Sequence, residues 1–231
     1  MEQLPLGVRL RTASSFSSFH PGDNAALLAA LEARARAPGL PPLWVWAAPG
    51  AGRSHLLQAA CARAGERARR AGFLPLAESW PTPALLAGFE TLDLVCLDDL
   101  DRVAASPDWQ IALFALYNDL AERGGNLVMS AAVPPQALAV ALPDLASRFA
   151  AALVWQLRPL AEQDQSQALK ARAQTLGIDL NDETLQYLQR RLPRELATLC
   201  NALDRLDAAA LAQQRRLTVP FVRAVLELAG D

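Results

Sequence analysis

Eight residues, Ala47-Ala48-Pro49-Gly50-Ala51-Gly52-Arg53-Ser54, follow a short apolar run and precede an apolar, helix-forming stretch. Their spacing approximates G-x-x-x-x-G-K-[ST], a loop whose backbone N–H groups and following helix N-terminus cradle phosphates. Two positions depart from the pattern: Ala47 replaces the first glycine and Arg53 replaces the lysine. Gly50, Gly52 and Ser54 are retained, so the backbone is still expected to bend closely around a diphosphate. Arg53 keeps the positive charge as a bulkier planar fork, not a compact ammonium.

A second pattern is Leu94-Val95-Cys96-Leu97-Asp98-Asp99, four apolar residues closed by two carboxylates. It resembles a Walker B strand. In that reading Asp98 helps hold Mg²⁺ through water, with Ser54 on the other side as the second metal-facing residue. Asp99 stands where a catalytic glutamate is usual. It is one methylene shorter, which is expected to weaken activation of an attacking water.

These residues must be positioned by elements that the patterning shows. Leu43–Ala47, Phe73–Ala77, Leu92–Leu97, Asn126–Ser130 and Leu153–Leu157 read as strands, mostly apolar on both faces and separated by helical stretches. Pro75 suits an edge strand. Buried strands alternating with helices predict an α/β fold with a five-stranded parallel sheet in a three-layer αβα sandwich. The helix before the fourth strand is predicted from a Ser106 cap, Pro107 in the first turn, an apolar stripe of Trp109, Leu113, Leu116 and Leu120, and a stop at Gly124-Gly125. Beyond about residue 158 strand signals cease. A helix ending at Gly177, one capped by Asn181, one carrying Leu196, Leu199, Leu203 and Leu206, and one opening at Thr218-Val219-Pro220 predict a small helical domain. The expected organisation is a tail over 1–12, an α/β domain over 13–157 and a helical domain over 158–231.

The chain has 231 residues, 52% of them hydrophobic, enough for one sizeable core and a smaller appendage. Its 22 basic and 24 acidic residues leave a net charge of -2, which supplies no general drive toward nucleic acid. Cys61, Cys96 and Cys200 are dispersed among apolar residues and read as reduced. Neither a signal peptide nor an apolar run near the roughly 20 residues that cross a bilayer is evident. A soluble, cytoplasmic protein without membrane partners is expected.

Together these motifs resemble the DnaA branch of the AAA+ proteins over nearly the whole chain. Three details are similar to the short regulatory homologues that switch DnaA off, rather than to DnaA itself. Arginine takes the lysine position in Gly52-Arg53-Ser54-His55-Leu56-Leu57. Phe16-Ser17-Ser18-Phe19-His20-Pro21-Gly22-Asp23-Asn24 resembles the segment that packs near the adenine. The helix-turn-helix DNA-binding domain that follows the lid in DnaA is expected to be absent, and with it direct sequence-specific DNA binding.

The resemblance assigns further roles. In Leu142-Pro143-Asp144-Leu145-Ala146-Ser147-Arg148, Arg148 matches the arginine finger that acts in trans on a neighbouring subunit's γ-phosphate. Arg194, in Pro193-Arg194-Glu195-Leu196, matches the sensor 2 arginine of the lid. In the sensor 1 region, Val128 to Pro135, Ala132 stands where an aspartate is common. Phe16, Pro49, Gly50, Ala51, Gly52, Arg53, Ser54, His55, Asp98 and Arg194 form the implied nucleotide set. ADP is the implied ligand, with another nucleoside diphosphate or ATP as alternatives and Mg²⁺ as an optional companion. Gln3-Leu4-Pro5-Leu6 resembles the peptide that docks in the sliding-clamp pocket, although Gly7 sits where a further large apolar residue is often found.

What this implies is a non-enzymatic negative regulator of replication initiation. The β clamp on DNA recruits it, and it promotes hydrolysis of DnaA-bound ATP; a homodimer is compatible with the resemblance. A self-sufficient ATPase or motor and a clamp-independent replication adaptor are the alternatives.

Overall fold

The computed structural model describes residues 14–192, 196–213 and 218–227. Five strands, β1 (Leu43–Trp46), β2 (Ala71–Pro75), β3 (Leu94–Asp98), β4 (Asn126–Ala131) and β5 (Leu153–Gln156), form one sheet in the order β2-β3-β4-β1-β5. Every pairing is parallel. The helices between the strands are α1 (Ala25–Arg36), α2 (Arg53–Gly65), α3 (Pro107–Arg123) and α4 (Pro143–Ala150). The C-terminal helices are α5 (Glu162–Thr175), α6 (Asp182–Arg191), α7 (Leu196–Gln213) and α8 (Val219–Glu227).

Parallel strands are covered on both faces by their crossover helices, which is why these strands are apolar without alternation. Trp44, Val95, Leu97, Leu127 and Met129 face a core shared with Trp109, Leu113, Leu116 and Leu120 of α3. The alternate residues Leu43, Val45, Leu94 and Cys96 are also fully buried. They point to the opposite face, where α2 packs on β2 and β3 and α1 packs on α2.

Several boundaries differ from expectation, each for a local reason. β3 starts at Leu94 because Leu92 closes the 3-10 turn Phe89–Thr91, its N–H donating to the Phe89 carbonyl. β2 starts at Ala71 and ends at Pro75. It lies at the sheet edge, and the Leu76 N–H donates to the Asp98 carbonyl. Pro75, one residue earlier, therefore turns its nitrogen to the open edge, where no donor is needed. β5 is the other edge and is only partly covered, with Leu153 45% exposed, so it is not the buried strand that its apolar composition suggests. Ser106 does precede α3, but its hydroxyl makes no cap bond; the turn is held by the Gln110 N–H donating to the Ser106 carbonyl. Asn181 does cap α6, accepting from the Thr184 N–H at 2.8 Å.

Asn126 is the polar anchor of the first unit. It is fully buried, donates from Nδ2 to the carbonyls of Arg34 and Ala37, and accepts the Leu40 N–H at 2.9 Å. Asn126→Ala leaves three backbone groups unpaired and should cost about 3 kcal/mol. The check is a urea unfolding curve, with a lowered midpoint at unchanged slope; a loss below about 1 kcal/mol would show that water replaces these bonds.

Two compact units are present. One contains Asn24–Ala47 and Arg53–Leu157 together with the segment ending at Phe19; the other contains His20–Asp23, Ala48–Gly52 and the chain from Arg158. In the second unit Leu169, Leu185, Leu188, Leu199, Leu203, Leu206, Phe221 and Val222 form a separate core. No helix among the described residues is long and apolar enough to cross a membrane. Cys61 and Cys96 are buried thiols, and burial pushes the half-buried Cys200 thiol up to about 11, which keeps it unreactive.

Candidate functional site

The glycine-containing turn between β1 and α2 uses glycine where the backbone demands it. Gly50 has φ 79° and Gly52 φ 104°, the left-handed region that side chains disfavour. Ala47 has no positive φ, and its side chain is buried, so alanine is compatible with this end of the turn. Pro49 is exposed and Ala51 partly exposed within the turn. α2 begins at Arg53, with Ser54 exposed and His55 half-buried in its first turn.

Arg53 does not extend from the turn as a free cation. It is buried, donating from Nη1 to the Ala47 carbonyl at 2.9 Å and from Nη2 to Asp99 Oδ1 at 2.6 Å. The two residues that depart most clearly from the motifs are therefore each other's partners. Asp99 sits at φ 55°, a left-handed conformation that aspartate tolerates better than most residues. Its N–H donates to Ser130 Oγ at 3.1 Å, and the Ser130 hydroxyl in turn donates to Asp98 Oδ1. Burial and the neighbouring Asp98 charge push the Asp99 carboxyl above its ordinary range, outweighing the pull of Arg53 in the other direction.

Asp98 ends β3 and is 2% exposed, with one carboxylate oxygen engaged by Ser130. Among the described residues no group of three His, Cys, Asp or Glu could hold a metal by itself. Ser54 and Asp98 are oxygen donors of the kind that fits a Mg²⁺ completed by water and phosphate oxygens. The region around Ala132 is polar in a way the chain pattern did not show: the Ala132 N–H donates to Asp101 Oδ1 at 3.0 Å. Ser130 and Asp101 were both missed as site residues. For Ser130 the available signal was a hydroxyl ending an otherwise buried apolar strand.

The N-terminal segment meets α2 through His55. Phe16 opens a 3-10 turn, Phe16–Ser18, closed by a Ser15–Ser18 capping box, and is itself buried. His55 Nε2 lies 3.1 Å from the Ser15 carbonyl and 3.3 Å from Ser18 Oγ, and its ring is 5.9 Å from that of Phe19. Phe16 and His55 are thus brought to one place.

Arg148 is displayed differently. It is exposed on α4, whose other face is locked by fully buried Leu145 and by Phe149, tilted against Trp44 at 5.3 Å between ring centroids. The Arg148 guanidinium lies over the Tyr117 ring at 5.6 Å, and the Tyr117 hydroxyl donates to the Arg148 carbonyl at 3.4 Å. A buried Gln110 ties the start of α4 to α3 by accepting the Leu142 N–H. Arg194 and the segment Gln3-Leu4-Pro5-Leu6 lie outside the described residues.

This fold is shared with solved AAA+ proteins. Domain III of the replication initiation protein DnaA from Thermotoga maritima superposes with a TM-score of 0.78 at 21% identity, covering 93% of this chain and 95% of that one. AMPPCP-bound DnaA from Aquifex aeolicus gives 0.71 at 20% identity, over 85% of this chain and 65% of that one. The RuvB Holliday junction branch migration motor of Thermotoga maritima gives 0.69 at 15% identity, over 95% and 72%. The chain therefore has the fold of these proteins, an α/β body of the DnaA domain III type followed by a helical domain. Residues 162–226 match the family model described as Hda, lid domain.

Proposed function

We propose that this protein is a nucleotide-bound regulator of the Hda type that promotes hydrolysis of ATP held by DnaA, recruited by the sliding clamp on DNA. The observation that carries the reading is the mounting of Arg148. An exposed guanidinium, backed by an aromatic ring on a helix anchored in the core, is suited to act on charge in another protein's site. The Hda-type lid supports the same reading. The test is a reconstitution of ATP-loaded DnaA, clamp-bearing DNA and this protein. Conversion of DnaA-bound ATP to ADP should be stimulated, and no stimulation at saturating protein would dismiss the proposal.

The chain's own nucleotide is assigned to the loop from Ala48 to Ser54, and the resemblance alone adds Phe16, His55 and Arg194 to that assignment. ADP is the proposed ligand, and Mg²⁺, where it accompanies the nucleotide, is held by Ser54 and Asp98. A self-sufficient ATPase is disfavoured because Arg53 and Asp99, the residues that would assist phosphoryl transfer, are engaged with each other. The purified protein should therefore bind a nucleoside diphosphate but turn over ATP far below the rate of about 1 per second at which many enzymes begin. A steady-state phosphate-release assay on the protein alone checks this, and robust turnover would restore the ATPase reading.

A further inference from the structure

Arginine for lysine at residue 53 and aspartate for glutamate at residue 99 look in the sequence like two separate losses. The geometry joins them. The planar fork of Arg53 bonds the Ala47 carbonyl from one nitrogen and the Asp99 carboxylate from the other, at 2.9 and 2.6 Å. A lysine offers a single point of charge in their place. A glutamate at 99 would carry its carboxylate one methylene further from β3 and out of this register. The pair is well shielded, with side-chain exposures of 9% for Arg53 and 25% for Asp99. Asp99 is held in place independently of Arg53, by its own N–H on Ser130.

We propose that Asp99 determines nucleotide selectivity at this site: by engaging Arg53 it withholds the loop's cation from a third phosphate, so that a nucleoside diphosphate is preferred over a triphosphate. The inference rests on the nucleotide-binding reading above and adds a residue-level cause to it. Asp98, Asp99 and Arg53 together carry one positive and two negative formal charges. A terminal phosphate brings further negative charge that Arg53, paired with a carboxylate, is poorly placed to offset. With Arg53 already engaged, the additional phosphate meets no uncompensated guanidinium from this residue.

The test is a pair of equilibrium titrations with fluorescent nucleoside diphosphate and a non-hydrolysable triphosphate in EDTA. The proteins are wild type, Asp99→Asn, Arg53→Met and the double variant. Asn is nearly isosteric and equally tolerant of the left-handed backbone, and Asp99→Ser serves where Asn perturbs melting. Wild type should prefer the diphosphate. Asp99→Asn should shift the ratio of the two dissociation constants toward the triphosphate by about tenfold, as removal of one partly shielded charge at this range implies. In the Arg53→Met background the same change should shift the ratio much less, because the effect is transmitted through Arg53. An unchanged ratio in Asp99→Asn overturns the proposal. So does a full shift that persists without Arg53, which would mean direct repulsion by Asp99. Wild-type protein that binds neither nucleotide would instead sink the nucleotide-binding reading itself.

Discussion

Arg148→Ala should abolish stimulation of DnaA-bound ATP hydrolysis while leaving folding and nucleotide binding intact. The side chain is exposed, and what it touches within the chain is a ring face, so the core loses nothing by its removal. A guanidinium supplied in trans to a transferring phosphoryl group contributes a factor of about 10³ to 10⁵ in rate, or roughly 4–7 kcal/mol of barrier. Arg148→Lys should rescue little, since an ammonium lacks the planar fork and stacks less well on an aromatic ring. The measurement is the fraction of DnaA-bound ATP converted to ADP over time with clamp-loaded DNA present. Conversion at near wild-type rate by Arg148→Ala would show that the acting arginine lies elsewhere, with Arg158 the next to examine.

The second large effect concerns the clamp. Changing Leu4 and Leu6 together to alanine should reduce clamp binding to an undetectable level and leave the melting temperature unchanged. Each leucine buried in a partner pocket contributes about 1.5–3 kcal/mol. Losing both shifts a micromolar contact by roughly two to four decades, since each 1.4 kcal/mol is a factor of ten. Clamp pull-down or surface binding with the intact chain measures it. Retained affinity in the double variant would show that the clamp is bound by another surface and remove the tail from the proposal.

Much of the architecture was legible in the chain because it rests on local rules. Five apolar runs of strand length, the stripe on α3 and the Asn181 cap are consequences of periodicity and capping chemistry, and neither depends on distant residues. The glycines of the loop were legible for the same reason: a backbone with φ of 79° and 104° selects glycine at Gly50 and Gly52 wherever the rest of the chain lies. β5 reads as buried but is largely uncovered, because an apolar composition does not say whether a strand ends up at an edge.

What the sequence determined by itself was therefore an α/β body with a helical appendage, a phosphate-type loop with an arginine in it, and two carboxylates ending a buried strand. The tertiary structure decided which of these groups meet. The strand order sets β4 beside β3, and that alone brings the Ser130 hydroxyl to Asp98 and to the Asp99 backbone. Packing of α2 on β3 joins Arg53 to Asp99, and packing of α4 on α3 sets Arg148 over Tyr117. Each is a contact between residues far apart in the chain, where hydrophobic periodicity carries no information on partners. Two motif departures that look independent along the chain become one ion pair only when the sheet closes around them.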